Sequence, residues 1–280
     1  MSPLPALLER ACNAPAVLLY LDFDGTLAHL RGDPDLCALP ASLRPVLEAL
    51  SALPRFDLAV ISGRSLEDLR KRLALQAEAI NLSGNHGLEL LCGGERWSDP
   101  RAEALRPQLD QWALGARQLL ADLPGARVEH KGLTLSLHER CVKAEHAGEM
   151  ERRLAPLLTD LTADGCFALR RGRCVLEIRP AFPHGKAMAA RRLEQNAKER
   201  GLILGAPDPS VAPLRLYFGD DQTDEDVFLH WPGVTGIRVG PSALSSAASC
   251  RLGGPVGVAH WLEALWAQLR ESGDATSAAH

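Results

Sequence analysis

The sequence predicts an α/β protein, a doubly wound parallel sheet with an α+β domain inserted into its chain. In the first and last parts of the 280-residue chain, short apolar runs alternate with stretches of helical periodicity, as in parallel sheets with crossover helices. The middle instead has the pattern helix, hairpin, helix, hairpin. The chain is also long for one hydrophobic core, and its length suits two domains or one domain with a large insertion.

Five apolar runs predict the buried strands of the parallel sheet. In chain order they are AVLLYLDFDG, FDLAVISGR, AINLSGNHG, LRLYFGDD and TGIRVG. The first three are separated by ASLRPVLEALSAL and SLEDLRKRLALQ, which have apolar residues at helical spacing. In sheets of this kind, ligands bind at the carboxyl ends of the strands. Four of the five runs have charged or polar residues at their carboxyl ends. We therefore expect the functional site at this edge.

The middle of the chain predicts a separate antiparallel sheet. A long helical stretch after Pro100 is followed by the hairpin ARVEHKG and LTLSLHER, by a second helix, and by the hairpin CFALRRG and CVLEIRP. We expect residues 1–102 and 181–280 to form the core and residues 103–180 to form the inserted domain. The chain passes between the two domains near Pro100 and near Pro180. These two connections could act as a hinge, and an inserted domain joined in this way suits a lid.

Composition narrows the class of partner. A formal net charge of -4 argues against nucleic acid or an anionic membrane as the main partner. No apolar run approaches the roughly 20 residues that span a bilayer, and the N-terminus lacks the basic segment of a signal peptide. The seven cysteines are scattered and form no CxxC pair, which fits reduced thiols. We expect a cytoplasmic protein that binds a small molecule, with a monomer favoured.

Asp22 and Asp24 directly follow the first apolar run, in LLYLDFDGTLAHL. Two carboxylates at positions i and i+2 of a strand point to the same face and repel each other, so we expect a bound cation to compensate them. Asp22 is ionised at neutral pH and needs no base in order to attack phosphorus. A magnesium ion and a lysine would offset its repulsion from an anionic phosphate.

Asp24 suits the proton transfers of such a reaction. If its backbone carbonyl rather than its side chain meets the metal, its carboxyl can stay protonated beside the charge of Asp22. It could then protonate the leaving alkoxide. Once ionised, it could accept a proton from the water that hydrolyses the aspartyl-phosphate.

Other strand ends supply the remaining groups. Asp220 and Asp221, in FGDDQTDEDVF, offer hard oxygen ligands for magnesium, and whether Asp220, Asp221 or Asp224 reaches the ion stays open. Ser62, in ISGRS, can donate its hydroxyl to a phosphoryl oxygen, although a helix N-cap would use the same residue. Lys186, in RPAFPHGKA, supplies a positive charge.

These motifs resemble a known family. LDFDGTL, SGR, Lys186 and GDDQTDED resemble, in this order, the four motifs of haloacid-dehalogenase-type (HAD) phosphatases. SGNHGLEL, VEHKGLTLSLHER, VLEIRPAFPHGKA and FGDDQTDEDVF together resemble the trehalose-6-phosphate phosphatase family, which has a four-stranded α/β cap inserted at this place. The resemblance implies a HAD-like Rossmannoid core with an inserted cap domain. It also implies hydrolysis of trehalose 6-phosphate, a sugar phosphate, with Mg²⁺ as cofactor.

The resemblance implies roles for the matched core residues. Asp22 would be the nucleophile and a metal ligand, and Asp24 the acid/base and a metal ligand through its carbonyl. Asp220 would bind the metal, while Ser62 and Lys186 would bind phosphate. Asp221 is a further candidate metal ligand.

The matched positions in the inserted domain are Glu129, Lys131 and Glu177, which would hydrogen-bond sugar hydroxyls. Arg140 belongs to the same motif and is a fourth candidate for substrate binding. Glu177 interrupts an otherwise apolar strand, so a partner is expected, and that partner could be structural.

Two alternatives stay open. A phosphoaspartate receiver-like signalling module also uses acidic strand ends, a hydroxyl and a lysine, but it lacks a second aspartate placed like Asp24 and an insertion of this size. A nearer alternative is a phosphatase for sucrose-phosphate or mannosyl-phosphoglycerate, or a phosphohexomutase relative, because the core motifs treat only the phosphoryl group. His86, in GNHG, either lines the site or satisfies a turn.

Overall fold

The computed structural model of the protein describes residues 3–75, 80–146, 148–172, 174–201, 212–241 and 245–272. Backbone contacts divide the chain into two compact units. The core unit is Met1–Trp97 with His184–His280, and the inserted unit is Ser98–Pro183. The insertion expected from the sequence is 103–180, and the compact unit extends a few residues beyond those bounds at each end.

The described residues form twelve strands and eight α-helices. The strands are β1 (Val17–Leu21), β2 (Phe56–Ile61), β3 (Asn81–Gly84), β4 (Glu89–Cys92), β5 (Glu95–Ser98), β6 (Arg127–His130), β7 (Leu135–His138), β8 (Phe167–Gly172), β9 (Val175–Pro180), β10 (Leu214–Gly219), β11 (Val234–Val239) and β12 (Cys250–Leu252). The helices are α1 (Pro3–Asn13), α2 (Leu43–Ser51), α3 (Leu66–Leu73), α4 (Pro100–Leu119), α5 (Glu149–Thr162), α6 (Lys186–Glu199), α7 (Gln222–His230) and α8 (Pro255–Glu271).

The core unit is built on one eight-stranded sheet with the order β12-β11-β10-β1-β2-β3-β4-β5. Neighbouring strands run parallel from β12 to β3, and β4 pairs antiparallel with β3. The five runs that the sequence predicts as parallel strands are β1, β2, β3, β10 and β11. The prediction of a doubly wound α/β fold is confirmed.

Alternate side chains of β1 enter two different hydrophobic clusters. Leu19 and Leu21 pack in the cluster that contains residues of α1, α2 and α8. Leu18 and Tyr20 pack in the cluster that contains residues of α6 and α7. A strand buried on both faces needs apolar residues at every position, which is why β1 is a continuous apolar run in the sequence.

The direction of winding reverses at β1, which has β2 on one side and β10 on the other. Asp22, Ser62 and Asp220 each directly follow one of these three parallel strands, so they lie at the same edge of the sheet. The backbone N–H of Asp22 donates to the carbonyl of Phe218 over 2.8 Å, which extends the β1–β10 ladder to the site residue itself. Open α/β sheets bind their ligands at such a point.

The inserted unit has its own antiparallel sheet, with the order β6-β7-β9-β8. One face of this sheet is apolar: Leu135, Leu137 and Ile178 pack with Trp112 of α4 and Leu154 of α5. The alternating residues on the other face are mostly polar. The two hairpins and two helices predicted for the middle of the chain correspond to β6–β7, β8–β9, α4 and α5.

Two simple chemical features complete the description of the fold. All seven cysteines carry free thiols. Among the helices that the structure describes, none has both the length and the apolar character needed to cross a membrane.

Glu194, on α6, is the acceptor of a buried ion-pair network in the core unit. Its carboxylate oxygens lie 2.7 Å from Arg215 Nη2, 2.8 Å from Lys198 Nζ and 2.7 Å from Trp231 Nε1. Burial acts to raise the pKa of Glu194, but the hydrogen bonds from these three partners outweigh it and lower the pKa to about 2.

We expect Glu194→Gln to lower the free energy of unfolding at pH 7 by about 2–3 kcal/mol: each pKa unit corresponds to about 1.4 kcal/mol, and solvent screening of the half-exposed Lys198 reduces the full value. The folded-state pKa lies below the ordinary value of 4.5, so the stabilisation is present above pH 4.5 and is lost as the pH falls toward 2. Urea unfolding of both proteins from pH 7 to pH 3 measures this. Glu199→Gln, exposed on the same helix, is the control. A loss equal to that of the control, or one that does not change with pH, would contradict the expectation.

Candidate active site

Lys186, the first residue of α6, is buried beside two carboxylates. Its side chain is 3% exposed, and Nζ lies 2.7 Å from Asp22 Oδ1 and 2.8 Å from Asp224 Oδ1. Tyr217 donates its hydroxyl to the same oxygen of Asp224 over 2.7 Å. Burial opposes the charge of Lys186, but the carboxylates of Asp22 and Asp224 outweigh burial and raise its pKa well above the ordinary value. Lys186 is therefore a fixed positive charge near the end of β1.

Three carboxylates form an acidic cluster around this ammonium. Asp22, Asp220 and Asp224 each offer one oxygen, and the three oxygens lie within 4.8 Å of one another. Burial raises the pKa of Asp22, and burial together with the charges of Asp224 and Asp221 raises the pKa of Asp220 to about 7. One ammonium therefore does not offset all the negative charge. A divalent cation fits this cluster, because hard oxygen donors are the ligands it prefers and its charge favours the ionised carboxylates.

The acidic motif after β10 divides between the site and the start of a helix. Asp221 is the N-cap of α7, and its Oδ1 accepts the N–H of Thr223 over 2.7 Å. Asp224 Oδ2 accepts the N–H of Asp221 over 2.9 Å, which completes a capping box. The structure thus places Asp220 and Asp224 in the acidic cluster with Asp22. The side chain of Asp221 is exposed and bonds within the helix start.

Gly25 allows the turn after β1 to approach the acidic cluster. Its φ is +81°, and a Cβ at this position would lie 2.1 Å from Asp220 Oδ2. Any other residue would strain the backbone and displace Asp220.

Ser62 ends β2 in a turn that packs against the loop containing His86. Ser62 Oγ accepts the N–H of Arg64 over 3.2 Å, so its own hydroxyl hydrogen can be donated to another acceptor. The N–H of His86 donates to the carbonyl of Ser62 over 3.0 Å, and a Cβ on Gly63 would lie 2.4 Å from His86 Nε2. His86 holds a left-handed backbone (φ +53°) in direct contact with the turn that presents Ser62.

Asp24 pairs with Arg64 through both carboxylate oxygens. Arg64 Nε lies 2.6 Å from Asp24 Oδ2, and Nη2 lies 2.7 Å from Oδ1. From the sequence, only the charge of Asp22 is expected near this carboxyl, and Arg64 is assigned no role. The signal that was available is the arginine of SGR, which stands two residues after Ser62.

The polar face of the inserted unit's sheet brings together three of the four residues expected to bind substrate. Glu129 and Glu177 are the cross-strand neighbours of Ser136, so these three side chains form one row. Lys131 Nζ lies 4.0 Å from Glu129 Oε2 and 3.8 Å from Glu177 Oε1. Arg140 lies beyond the end of β7 and is exposed.

His138 belongs to this face and is not identified from the sequence. Its Nε2 lies 2.7 Å from Glu129 Oε2. Burial acts to raise the pKa of Glu129, but His138 and Lys131 outweigh it and lower that pKa. In LTLSLHER the residues Thr134, Ser136 and His138 alternate with leucines, and this period of two would have placed them on one face.

Comparisons with known proteins agree on one family. The sequence profile of the family described as trehalose-phosphatase matches residues 20–239. The trehalose-phosphate phosphatase of Mycobacterium tuberculosis is 33% identical over an alignment 289 residues long, gaps included, which covers 97% of this chain and 68% of that protein. The trehalose-phosphate phosphatase of Mycobacterium marinum is 33% identical over 235 residues, covering 81% of this chain and 56% of its relative. The chain thus spans between about half and about two thirds of the length of these relatives.

Solved structures share the fold along most of the chain. The C-terminal domain of C. albicans trehalose-6-phosphate phosphatase has a TM-score of 0.74 and 25% identity, over 95% of this chain and 97% of that one. A trehalose-6-phosphate phosphatase related protein has a TM-score of 0.75 and 22% identity, over 91% and 99% of the two chains.

We expect a divalent cation, added as MgCl₂ after treatment with EDTA, to raise the melting temperature of the protein, because it binds the folded acidic cluster. In Asp220→Asn the rise should fall to less than about half, because one charged ligand is lost. Asp226→Asn, whose carboxylate is exposed on α7, should keep the full rise. Differential scanning calorimetry measures the three shifts. An equal rise in both variants would remove Asp220 from the proposed cation site.

Proposed function

Because the chain belongs to the trehalose-phosphatase family, we propose that it hydrolyses trehalose 6-phosphate to trehalose and inorganic phosphate through an aspartyl-phosphate on Asp22. The observation that carries the proposal is the buried pair of Lys186 and Asp22, 2.7 Å apart within the acidic cluster. The pair combines a carboxylate that can attack phosphorus with a fixed positive charge that can bind the anionic oxygens of the phosphoryl group.

Lys186 and Ser62 are proposed to bind the phosphoryl oxygens. Lys186 already contacts the nucleophile, so a phosphoryl group that it binds lies beside Asp22. Ser62 has a hydroxyl hydrogen to donate, because its oxygen already accepts the N–H of Arg64. Both groups compensate negative charge that would otherwise repel Asp22.

The acidic cluster of Asp22, Asp220 and Asp224 fits a magnesium ion, and the backbone carbonyl of Asp24 is proposed as a further ligand. When bound, the ion supplies the positive charge that lets anionic carboxylates and an anionic phosphate lie together.

Asp22 acts as the nucleophile in the first step. One of its carboxylate oxygens forms a bond to phosphorus while the bond between phosphorus and the sugar oxygen breaks. The electron pair of the broken bond stays on the sugar oxygen, which takes a proton from Asp24. Trehalose leaves with a neutral hydroxyl, and Asp24 becomes ionised.

Asp24 acts as a base in the second step. The oxygen of a water molecule forms a bond to phosphorus, and the water gives a proton to Asp24. The bond between phosphorus and the Asp22 oxygen breaks, and its electron pair returns to Asp22. Inorganic phosphate leaves, and both aspartates regain their starting states.

Glu129, Lys131 and Glu177 are proposed to contact sugar hydroxyls, with Arg140 as a further contact at the end of β7. Lys131 lies between the two carboxylates, so donors and acceptors alternate along one face of the sheet. A sugar hydroxyl both donates and accepts, and such a face can satisfy several hydroxyls of one sugar ring.

The family match favours trehalose 6-phosphate over the phosphates of sucrose and mannosyl-glycerate. A receiver-like role is disfavoured because curated relatives over most of the chain are named as phosphatases.

We expect Asp22→Asn to lower kcat for phosphate release from trehalose 6-phosphate by at least about 1000-fold, because the amide cannot form the covalent intermediate. Inorganic-phosphate release with Mg²⁺ measures the rate, and circular dichroism checks the fold. Asp226→Asn is the matched control on an exposed carboxylate. Substantial remaining turnover in Asp22→Asn would rule out Asp22 as the nucleophile.

We expect Glu177→Gln to lower kcat/KM for trehalose 6-phosphate by about tenfold or more, and to change kcat/KM for 4-nitrophenyl phosphate by much less, because only the first substrate has sugar hydroxyls to bind. Glu145→Gln, exposed in the same unit, is the control. Equal losses on the two substrates would place Glu177 outside the sugar contact.

A further inference from the structure

Arg64 fixes the orientation of Asp24. Its side chain is 10% exposed, and two of its nitrogens bond the two carboxylate oxygens at 2.6 and 2.7 Å. Its guanidinium carbon also lies 5.6 Å from the centre of the ring of Phe23, the residue between the two active-site aspartates. A planar guanidinium fork sets both the position and the plane of the carboxylate it holds.

Arg64 makes two other contacts, and Arg72 makes contacts of the same kind. Arg64 donates to Asp68 Oδ2 over 2.7 Å and to the carbonyl of Pro34 over 3.0 Å. Arg72 donates to the same oxygen of Asp68 over 2.7 Å and to the carbonyl of Asp35 over 2.7 Å. Both arginines therefore connect the loop at residues 34–35 to α3 through hydrogen bonds.

The two arginines differ in their remaining partners: Arg72 also bonds the carboxylate of Asp35 and the carbonyl of Cys37. Within the residues that the structure describes, the carboxylate of Asp24 bonds Arg64 and makes no bond to Arg72. Arg72 is therefore a control for the anchoring of the loop, and a property that only Arg64 confers comes from its contacts with Asp24 and Phe23.

We propose that Arg64 is the positioning residue for proton transfer by Asp24. The inference rests on the proposed phosphatase function, in which Asp24 gives a proton to the leaving oxygen as the bond from Asp22 to phosphorus forms and the old phosphorus–oxygen bond breaks. The fork uses one lone pair of each Asp24 oxygen and keeps the carboxyl in one plane, so the proton is carried on a remaining lone pair that faces the leaving group. Without the fork the carboxyl rotates freely, and proton delivery slows.

The dependence of rate on the leaving group separates this role from a structural one. A phosphate ester of an acidic phenol needs little help from a proton, whereas an ester of a less acidic phenol needs more. Loss of Asp24 positioning should therefore slow poor leaving groups most. Loosening of the loop should slow all esters alike.

The experiment measures kcat/KM for 4-nitrophenyl phosphate, phenyl phosphate and intermediate aryl phosphates in the full chain. Each of Arg64→Gln, Arg72→Gln and the wild type is assayed with Mg²⁺. These esters have leaving groups of similar size and lack sugar hydroxyls, so differences in sugar binding do not enter. Because kcat/KM reports on steps up to release of the first product, it isolates the step in which Asp24 acts as an acid.

We expect Arg64→Gln to lose about tenfold more kcat/KM on phenyl phosphate than on 4-nitrophenyl phosphate, and Arg72→Gln to lose the same factor on both. Equal losses for the Arg64 variant, or the same leaving-group effect in both variants, would overturn the proposal. If Arg64→Gln fails to fold, Arg64→Lys takes its place, because lysine keeps the charge but cannot form the fork, and the same comparison decides.

Failure of this inference is distinguishable from failure of the proposed function. If the wild type releases no phosphate from trehalose 6-phosphate, the proposed function fails. If the wild type is active and the Arg64 and Arg72 variants respond alike, only the positioning role of Arg64 fails.

Discussion

The core unit depends on one buried interaction, the ammonium of Lys186 held between Asp22 and Asp224 at 2.7 and 2.8 Å. Three carboxylates close together would not stay ionised in a buried site without positive charge, and one ammonium balances only part of theirs. The remaining charge of the acidic cluster suits a divalent cation. Under the proposed function, the aspartate at the end of the central strand would be both the nucleophile and a ligand of that cation.

The backbone around this cluster follows from the same constraint. Gly25 is required because a Cβ would collide with Asp220 at 2.1 Å. Asp221 and Asp224 are three residues apart, so Asp221 can cap α7. Asp224 accepts the N–H of Asp221 with one oxygen and contacts Lys186 with the other. One short motif therefore both caps α7 and contributes to the charge balance of the acidic cluster. Asp224 takes part in both.

The strands and their polar ends could be predicted from the sequence, because strands buried on both faces need continuous apolar runs and the end of a run is visible. The convergence of Asp22, Ser62 and Asp220 followed from the parallel topology. The side-chain pairing could not be predicted, because it depends on geometry across the sheet edge. Asp24 and Arg64 lie 40 positions apart, and although the arginine of SGR is visible in the sequence, the carboxylate that it bonds is not. The role of His138 was missed for a different reason: alternation in its strand was visible but was not used.

The claim on which the account of function rests is that Asp22 becomes bonded to phosphorus. The most direct test mixes the Asp24→Asn protein and Mg²⁺ with 4-nitrophenyl phosphate labelled in its phosphoryl group, because this leaving group needs little help from a proton while hydrolysis of the intermediate still needs the base. The reaction is quenched in acid, and peptide mass spectrometry locates the label. The account predicts an acid-stable, hydroxylamine-sensitive label, approaching one equivalent per chain, on the peptide that contains Asp22. Label on a different residue, or no label in a protein whose wild-type form turns the substrate over, would contradict it.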